Sequence, residues 1–234
     1  KLNEHRIKVG VVMLRLFKAE IKKLLNPLFP SAVVILKIIL LLAERRTFSP
    51  ADKGWMPIFI TSIADYIFPA LIGILYAAMF LGAEFVDRTI NKPIYEGMNR
   101  GCIVFVKFAM LIAVCCIISL AEPIILYFIF SGGTEEIEYV LRALAMKILA
   151  LAAIYSLIGL AAMIFRDVIK TVFAPVAVVF MLARFPLLDL SVLFQIIQPY
   201  AGRNLLLSFI GYSVVAQVLS VTISFFLFRY AELK

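Results

Sequence analysis

The sequence predicts an all-α membrane protein with six transmembrane helices. Hydrophobic residues make up 64% of the 234 residues, and the mean hydropathy is +1.03. A helix needs roughly 20 mostly apolar residues to cross a bilayer, and the backbone must be helical there because lipid offers it no hydrogen-bond partners. Six apolar stretches meet this need, and they are predicted as spans at residues 27–43, 55–85, 101–130, 143–165, 172–188 and 208–228.

The segment before the first span, residues 1–26, has the pattern of an amphipathic helix. Its apolar residues recur at spacings of three and four, and most of its lysines and arginines lie elsewhere around the helix. This pattern is typical of a helix that lies in the membrane interface. Pro27 then ends the helix, because proline cannot continue the hydrogen-bond ladder. We expect an elbow helix at 1–26 and a transmembrane domain at 27–234; a disordered basic tail is the alternative.

Two of the predicted spans, 55–85 and 101–130, are longer than a bilayer requires, so they must tilt, kink or project from it. Pro69 and Pro123 are the candidate kinks. Residues 189–207 are too apolar for an exposed loop, and Pro199 interrupts them too early for a complete span. We therefore predict a re-entrant hairpin at 189–207. We expect Phe194, Ile197 and Pro199 to form an outer gate there.

The distribution of charge predicts the orientation. Most of the 23 lysines and arginines fall on one side of the six predicted spans. The positive-inside rule places that side, with both termini, in the cytoplasm of a multi-pass protein of the cell membrane, and a bacterial plasma membrane is the expected location. The net charge of +8 indicates anchoring to anionic lipid, so membrane lipid is an expected partner and nucleic acid is not.

Several kinds of chemistry have no residues to support them. The sequence holds no G-x-x-x-x-G-K-[ST] phosphate loop, and its one histidine, His5, lies in the basic N-terminal segment. We therefore expect no catalytic site, no metal site and no cofactor bound by this chain. Cys102, Cys115 and Cys116 fall in or beside the third span, where small apolar packing residues are the expected role.

Four ionisable residues interrupt apolar spans: Lys37, Asp65, Glu122 and Lys147. A charge at the centre of a span costs about 2.5 to 3.5 kcal/mol on insertion scales, so each should face protein, water or a partner. All four are predicted in the outer half of the bilayer, which suggests the pairs Lys37 with Asp65 and Lys147 with Glu122. The alternatives are purely structural pairs or lysines that reach the interface.

A second charged segment follows the second span. It holds Glu84, Phe85, Asp87, Arg88, Thr89 and Ile90, and then Gly97, Arg100 and Lys107. This order resembles permease subunits of ABC-2 type transporters, in which an acidic E-F-x-x-x-T-[IL] turn is followed by G-x-x-R and a lysine in the third span. The elbow helix, the six spans and the outer hairpin extend the resemblance to the whole chain. Pro93 is a departure, because many relatives stay helical there.

The resemblance implies an ABC-2 (type V exporter-like) architecture and an ATP-driven exporter. Its expected partners are ABC ATPase subunits, which bind ATP and Mg²⁺, and a second copy of the permease or a related one. It further implies a coupling helix at about 84–92 that contacts the ATPase through Glu84, Phe85, Asp87, Arg88 and Thr89, with Arg100 nearby. The alternative for this segment is a solvated turn without a partner.

The sequence predicts an order of cargo classes rather than one cargo. Permeases of this size resemble bacterial exporters of antimicrobial or toxin peptides, so peptide or amphipathic cargo is the first expectation and a small hydrophobic drug the second. Two other classes stay open: a secondary transporter driven by ions through Asp65 and Glu122, or a membrane scaffold or sensor subunit. The absence of a visible inverted repeat weighs against the secondary transporter.

Overall fold

A computed structural model of the chain describes residues 65–95, 98–130, 137–182 and 203–230, together with Lys18, Phe59, Ser62 and Ile63. Its described elements are all helical, as the sequence predicts. Of the predicted elbow helix, only Lys18 is described, and it is helical and exposed. The first predicted span with Lys37, and the gate residues Phe194, Ile197 and Pro199, lie outside the described residues.

The second predicted span is not one continuous helix. Phe59, Ser62 and Ile63 are helical, the helix is broken at Asp65 and Tyr66, and α1 then runs over Ile67–Ala77. Pro69 explains the break, because its ring clashes with the carbonyl of Asp65 four residues earlier and it has no N–H to offer that carbonyl. Pro69 therefore lies in the first turn of a new helix rather than at a kink. The Asp65 carboxylate caps this helix by accepting a hydrogen bond of 3.3 Å from the Phe68 N–H.

From Ala77 the same helix continues through a π-helical segment, Ala78–Gly82, into the short helix α2, Ala83–Val86. The π segment lies close to the beginning of α6: a Cβ added to Gly82 would stand 3.3 Å from Val168 Cα. Glycine thus lets two backbones approach each other at this point. Segments of π-helix are rare and often mark functional sites, and this one ends two residues before Glu84.

The predicted coupling segment at about 84–92 is not one continuous helix. Helix α2 ends at Val86, and Arg88 has φ of 58°, the left-handed conformation that ends many helices. A 3₁₀ turn, Thr89–Asn91, and a one-turn helix α3, Lys92–Tyr95, follow. Pro93 is the second residue of α3, where its missing N–H costs no helical hydrogen bond. The segment is therefore a helix end, a turn and a short helix.

Four further helices complete the described fold: α4, Arg100–Phe130; α5, Ile137–Phe165; α6, Val168–Leu182; and α7, Arg203–Tyr230. Helix α5 begins before the predicted 143. Helix α7 begins at Arg203, so residues 203–207 belong to it and not to the predicted hairpin. The described chain contains four helices long and apolar enough to cross a membrane, namely Ile67–Val86, Arg100–Phe128, Ile137–Phe165 and Leu207–Tyr230.

Helix α5 is the centre of the bundle and packs against α1, α4, α6 and α7. Two glycines permit the close contacts. Gly73 of α1 faces the Tyr155 ring, and a Cβ on Gly159 of α5 would stand 2.9 Å from Phe108 of α4. Helix α7 lies at the periphery, since only 17% of its most apolar stretch is buried, against 67% for Ile67–Val86. Its exposed apolar side chains suit contact with lipid.

Candidate functional site

A buried ion pair joins α2 to α4. Lys107 lies two turns into α4, and its Nζ is 2.5 Å from Oε2 of Glu84. Both residues are buried, with 1% and 8% of their surfaces exposed. The ammonium also lies 4.5 Å from the centre of the Phe80 ring in the π segment, a further favourable site for a cation. The pair therefore holds the end of the α1–α2 helix against α4.

This pair corrects one part of the predicted coupling surface. Glu84, which is predicted to contact a partner, has its carboxylate turned inward to Lys107, and its contact with a partner stays a prediction. A polar group offered to a cytoplasmic partner must be accessible, and Asp87, Arg88 and Thr89 are all exposed. The accessible charges thus begin one turn later than the motif suggests.

Phe85 connects the same segment to the other helices of the bundle. Its ring meets the Phe228 ring of α7 edge to face, with 6.3 Å between centroids. The guanidinium of Arg166 lies 5.8 Å from the Phe85 ring on another side. Arg166, with φ of 50°, forms the tight turn between α5 and α6. Phe85 therefore contacts both the α5–α6 turn and the end of α7.

Arg100 is half-buried at this end of the bundle. Its Nη1 donates hydrogen bonds to the carbonyls of Phe228, at 3.4 Å, and Arg229, at 3.2 Å. These carbonyls belong to the last described turn of α7, and the carboxyl end of a helix favours a cation. Arg100 thus fastens the end of α7 to the beginning of α4. Its predicted proximity to a partner is untested.

A basic cleft of about 350 Å³ opens beside this contact. It is lined by Asn99, Arg100, Gly101, Phe225 and Arg229. Asn99 accepts a hydrogen bond of 3.0 Å from the Gly101 N–H and so begins α4 as an N-cap residue. The cleft adds positive charge to the end of the bundle that carries the exposed turn.

The intramembrane charges Lys147 and Glu122 converge on Ser62, a residue that the sequence argument omitted. The Lys147 ammonium donates to the Ser62 carbonyl at 2.5 Å, and the Ser62 hydroxyl donates to Oε1 of Glu122 at 2.7 Å. All three residues are at most 2% exposed. The structure therefore brings the two charges to one serine, while a direct ion pair between them stays a prediction, as does the pairing of Asp65 with Lys37.

Tyr155 is a second polar residue that the sequence argument missed. It is fully buried on α5, its hydroxyl shares a hydrogen bond of 2.5 Å with the Ser119 hydroxyl, and it lies 3.2 Å from the Pro69 carbonyl. The signal was present in the sequence, since a tyrosine inside an apolar span needs a partner for its hydroxyl. The cluster ties α1, α4 and α5 together.

Helix α7 carries a stripe of small polar residues, Ser213, Gln217, Ser220 and Ser224. Gln217 donates to the Leu149 carbonyl of α5 at 3.3 Å, and Ser213, Ser220 and Ser224 are buried. Small and polar residues at such spacing favour helix contacts inside membranes. The stripe identifies the face of α7 that meets the bundle.

Comparison with protein-family models, curated proteins and solved structures gives no match for this chain. Within the part of the chain that the structure describes, no group of three His, Cys, Asp or Glu residues could hold a metal ion.

Proposed function

We propose that this chain is the permease subunit of an ATP-driven exporter. The proposal includes six spans, cytoplasmic termini, and assembly with a second permease and with ABC ATPase subunits that bind ATP and Mg²⁺. It is supported by the apolar helices long enough to span a membrane and by the resemblance of the Glu84 to Lys107 region to ABC-2 permeases.

The observation that carries the proposal is the attachment of the exposed turn at residues 87–89 to several helices of the bundle. Three accessible polar side chains begin two residues after Phe85, and both Phe85 and the residue before it, Glu84, are held by contacts with the bundle. Glu84 links the turn to α4 through Lys107, and Phe85 links it to the α5–α6 turn and to α7. A partner that moves this turn would therefore move several helix ends together, as coupling to ATP hydrolysis requires.

The proposed cargo is a peptide or another amphipathic molecule. The bundle offers mainly apolar surface, and its buried charges are already engaged with polar groups. Such a surface suits cargo with a large apolar part, and the resemblance to peptide exporters implies the same class of cargo.

The test is a charge reversal in a reconstituted complex. The chain is co-expressed with any ABC ATPase that proves to be encoded next to it, and ATP hydrolysis is measured in lipid nanodiscs. We expect Asp87→Arg with Arg88→Glu to abolish stimulation of the ATPase while leaving the permease folded. The matched control is Glu138→Lys, which alters an exposed charge at the opposite end of α5. Equal stimulation by the two variants would reject the proposed coupling surface.

A second candidate function, transport driven by an ion gradient, is favoured by the buried Lys147, Ser62 and Glu122 cluster. Ionisable residues inside a membrane protein commonly mark ion pathways. The purified chain alone, reconstituted in vesicles, would then move cargo in response to a proton or sodium gradient without ATP. The exporter proposal expects no such transport until the ATPase and ATP are present.

A further inference from the structure

The Ser62 carbonyl can accept a hydrogen bond from a side chain because the helix breaks shortly after Ser62. In a continuous helix, the carbonyl of Ser62 would accept a hydrogen bond from the N–H of Tyr66. Tyr66 lies in the break, and the Lys147 ammonium donates to this carbonyl instead, at 2.5 Å. The carboxyl end of a helix carries partial negative charge, which favours a cation.

Other groups around the Lys147 ammonium suit the same kind of ligand. The Ser62 hydroxyl donates a hydrogen bond to the Glu122 carboxylate, so a carboxylate contacts the same residue whose carbonyl accepts from Lys147. The Tyr66 ring centroid is 6.0 Å from Lys147 Nζ, at the limit of a cation–π contact. The Tyr66 hydroxyl is buried and has no hydrogen-bond partner among the described residues. A buried hydroxyl without a partner is costly and indicates room for one more polar contact.

We propose that Ser62, Tyr66 and Glu122 form a binding site for a primary ammonium group, and that Lys147 is the resident ligand of this site. Half-helix ends inside membranes are known to hold ions and charged substrates. A cargo that carries a primary amine would meet the same oxygen atoms once Lys147 withdraws. That use by cargo rests on the proposed function, whereas ammonium binding itself is measured without any ATPase.

The experiment removes the resident ligand and supplies a small one. The purified full chain is placed in lipid nanodiscs, and its thermal unfolding midpoint is measured with methylammonium or with tetramethylammonium, which has no N–H donor. Lys147→Ala is expected to unfold at a lower temperature than the wild-type chain. Methylammonium should restore most of that loss, tetramethylammonium should not, and the wild type should respond to neither.

Two further variants control for the chemistry. Lys147→Met fills the space with an apolar chain and should show no response to methylammonium. Adding Glu122→Gln to Lys147→Ala removes the compensating charge and should abolish the response. If methylammonium and tetramethylammonium shift the unfolding of Lys147→Ala equally, the proposal is overturned.

If Lys147→Ala is not recovered folded, the unfolding temperature of Lys147→Arg tests the ammonium site instead. A site fitted to a compact ammonium should lose stability when it receives the broad, planar guanidinium. An arginine variant that unfolds at the same temperature as the wild type would show that any cation suffices and would overturn the proposal. These outcomes do not depend on transport, so they stand apart from failure of the exporter proposal.

Discussion

The ring of Tyr155 packs directly against Gly73, so a Cβ at residue 73 would overlap with the ring. The same tyrosine reaches past Gly73 to the Pro69 carbonyl, one turn earlier on α1. Close approach of α1 and α5 thus depends on a glycine in one helix and a tyrosine in the other. The contact fixes the position of α1 relative to the central helix.

Gly73→Ala should therefore destabilise the fold by about 1 to 3 kcal/mol, the usual cost of overpacking a core. The matched control is Gly211→Ala on α7, where a Cβ would meet nothing within 4 Å. Thermal unfolding in nanodiscs compares the two variants. A Gly73→Ala variant as stable as Gly211→Ala would contradict the packing described here.

The Glu84–Lys107 pair should behave as a buried pair rather than as surface charges. Glu84→Gln or Lys107→Met alone leaves one charge buried without compensation and should cost about 3 to 5 kcal/mol, whereas the double variant should be close to neutral. A double-mutant cycle on unfolding free energies measures the coupling. Asp87→Asn, an exposed change one turn away, is the control and should lie within about 0.5 kcal/mol of the wild type.

Substitutions of Arg88 should separate its effect on the stability of the fold from its effect on coupling to an ATPase. Its φ of 58° is unfavourable for an arginine, whereas glycine adopts such a value readily. Arg88→Gly should stabilise the chain by about 1 kcal/mol by relieving this strain, and Arg88→Ala should not. Both remove the charge, so both should weaken stimulation of an ATPase partner to the same extent. Equal unfolding temperatures for the two variants would show that the turn carries no strain.

Arg100 should control the order of the last turn of α7. Arg100→Ala removes the donor to the Phe228 and Arg229 carbonyls and should cost about 1 kcal/mol. Hydrogen exchange of amides in residues 225–230 should become faster, while exchange near Tyr155 stays unchanged. Arg142→Ala, at the other end of the bundle on α5, provides the comparison. Unaltered exchange in residues 225–230 would contradict the capping role.

Much of the helical architecture was predictable, because long apolar runs can cross lipid only as helices. The third predicted span, 101–130, agrees closely with helix Arg100–Phe130. The bounds of the second span and of the segment at 84–92 were not predictable from hydropathy. They depend on a clash between Pro69 and the Asp65 carbonyl and on a left-handed Arg88, which are local backbone effects.

The residues of the candidate site were likewise predictable only in part. Apolar surroundings of Glu122 and Lys147 were enough to predict that both charges need partners, since an isolated charge in lipid is costly. The partner Ser62 could not be deduced, because its carbonyl becomes available only where the helix breaks. Glu84 and Lys107 were both noticed as parts of one motif, but sequence spacing carries no information on which charges face each other.

The sequence alone thus determined that the chain is helical and apolar, and where charge interrupts its spans, since these properties depend on composition and periodicity along one helix. Tertiary structure decided which motif residues are buried and which are accessible. Glu84 is buried, and Phe85 and Arg100 are half-buried against the end of α7, while Asp87 and Arg88 are exposed. The reason is physical: burial of a side chain depends on helices distant in sequence that pack against it, and pairing of buried charges follows from that packing.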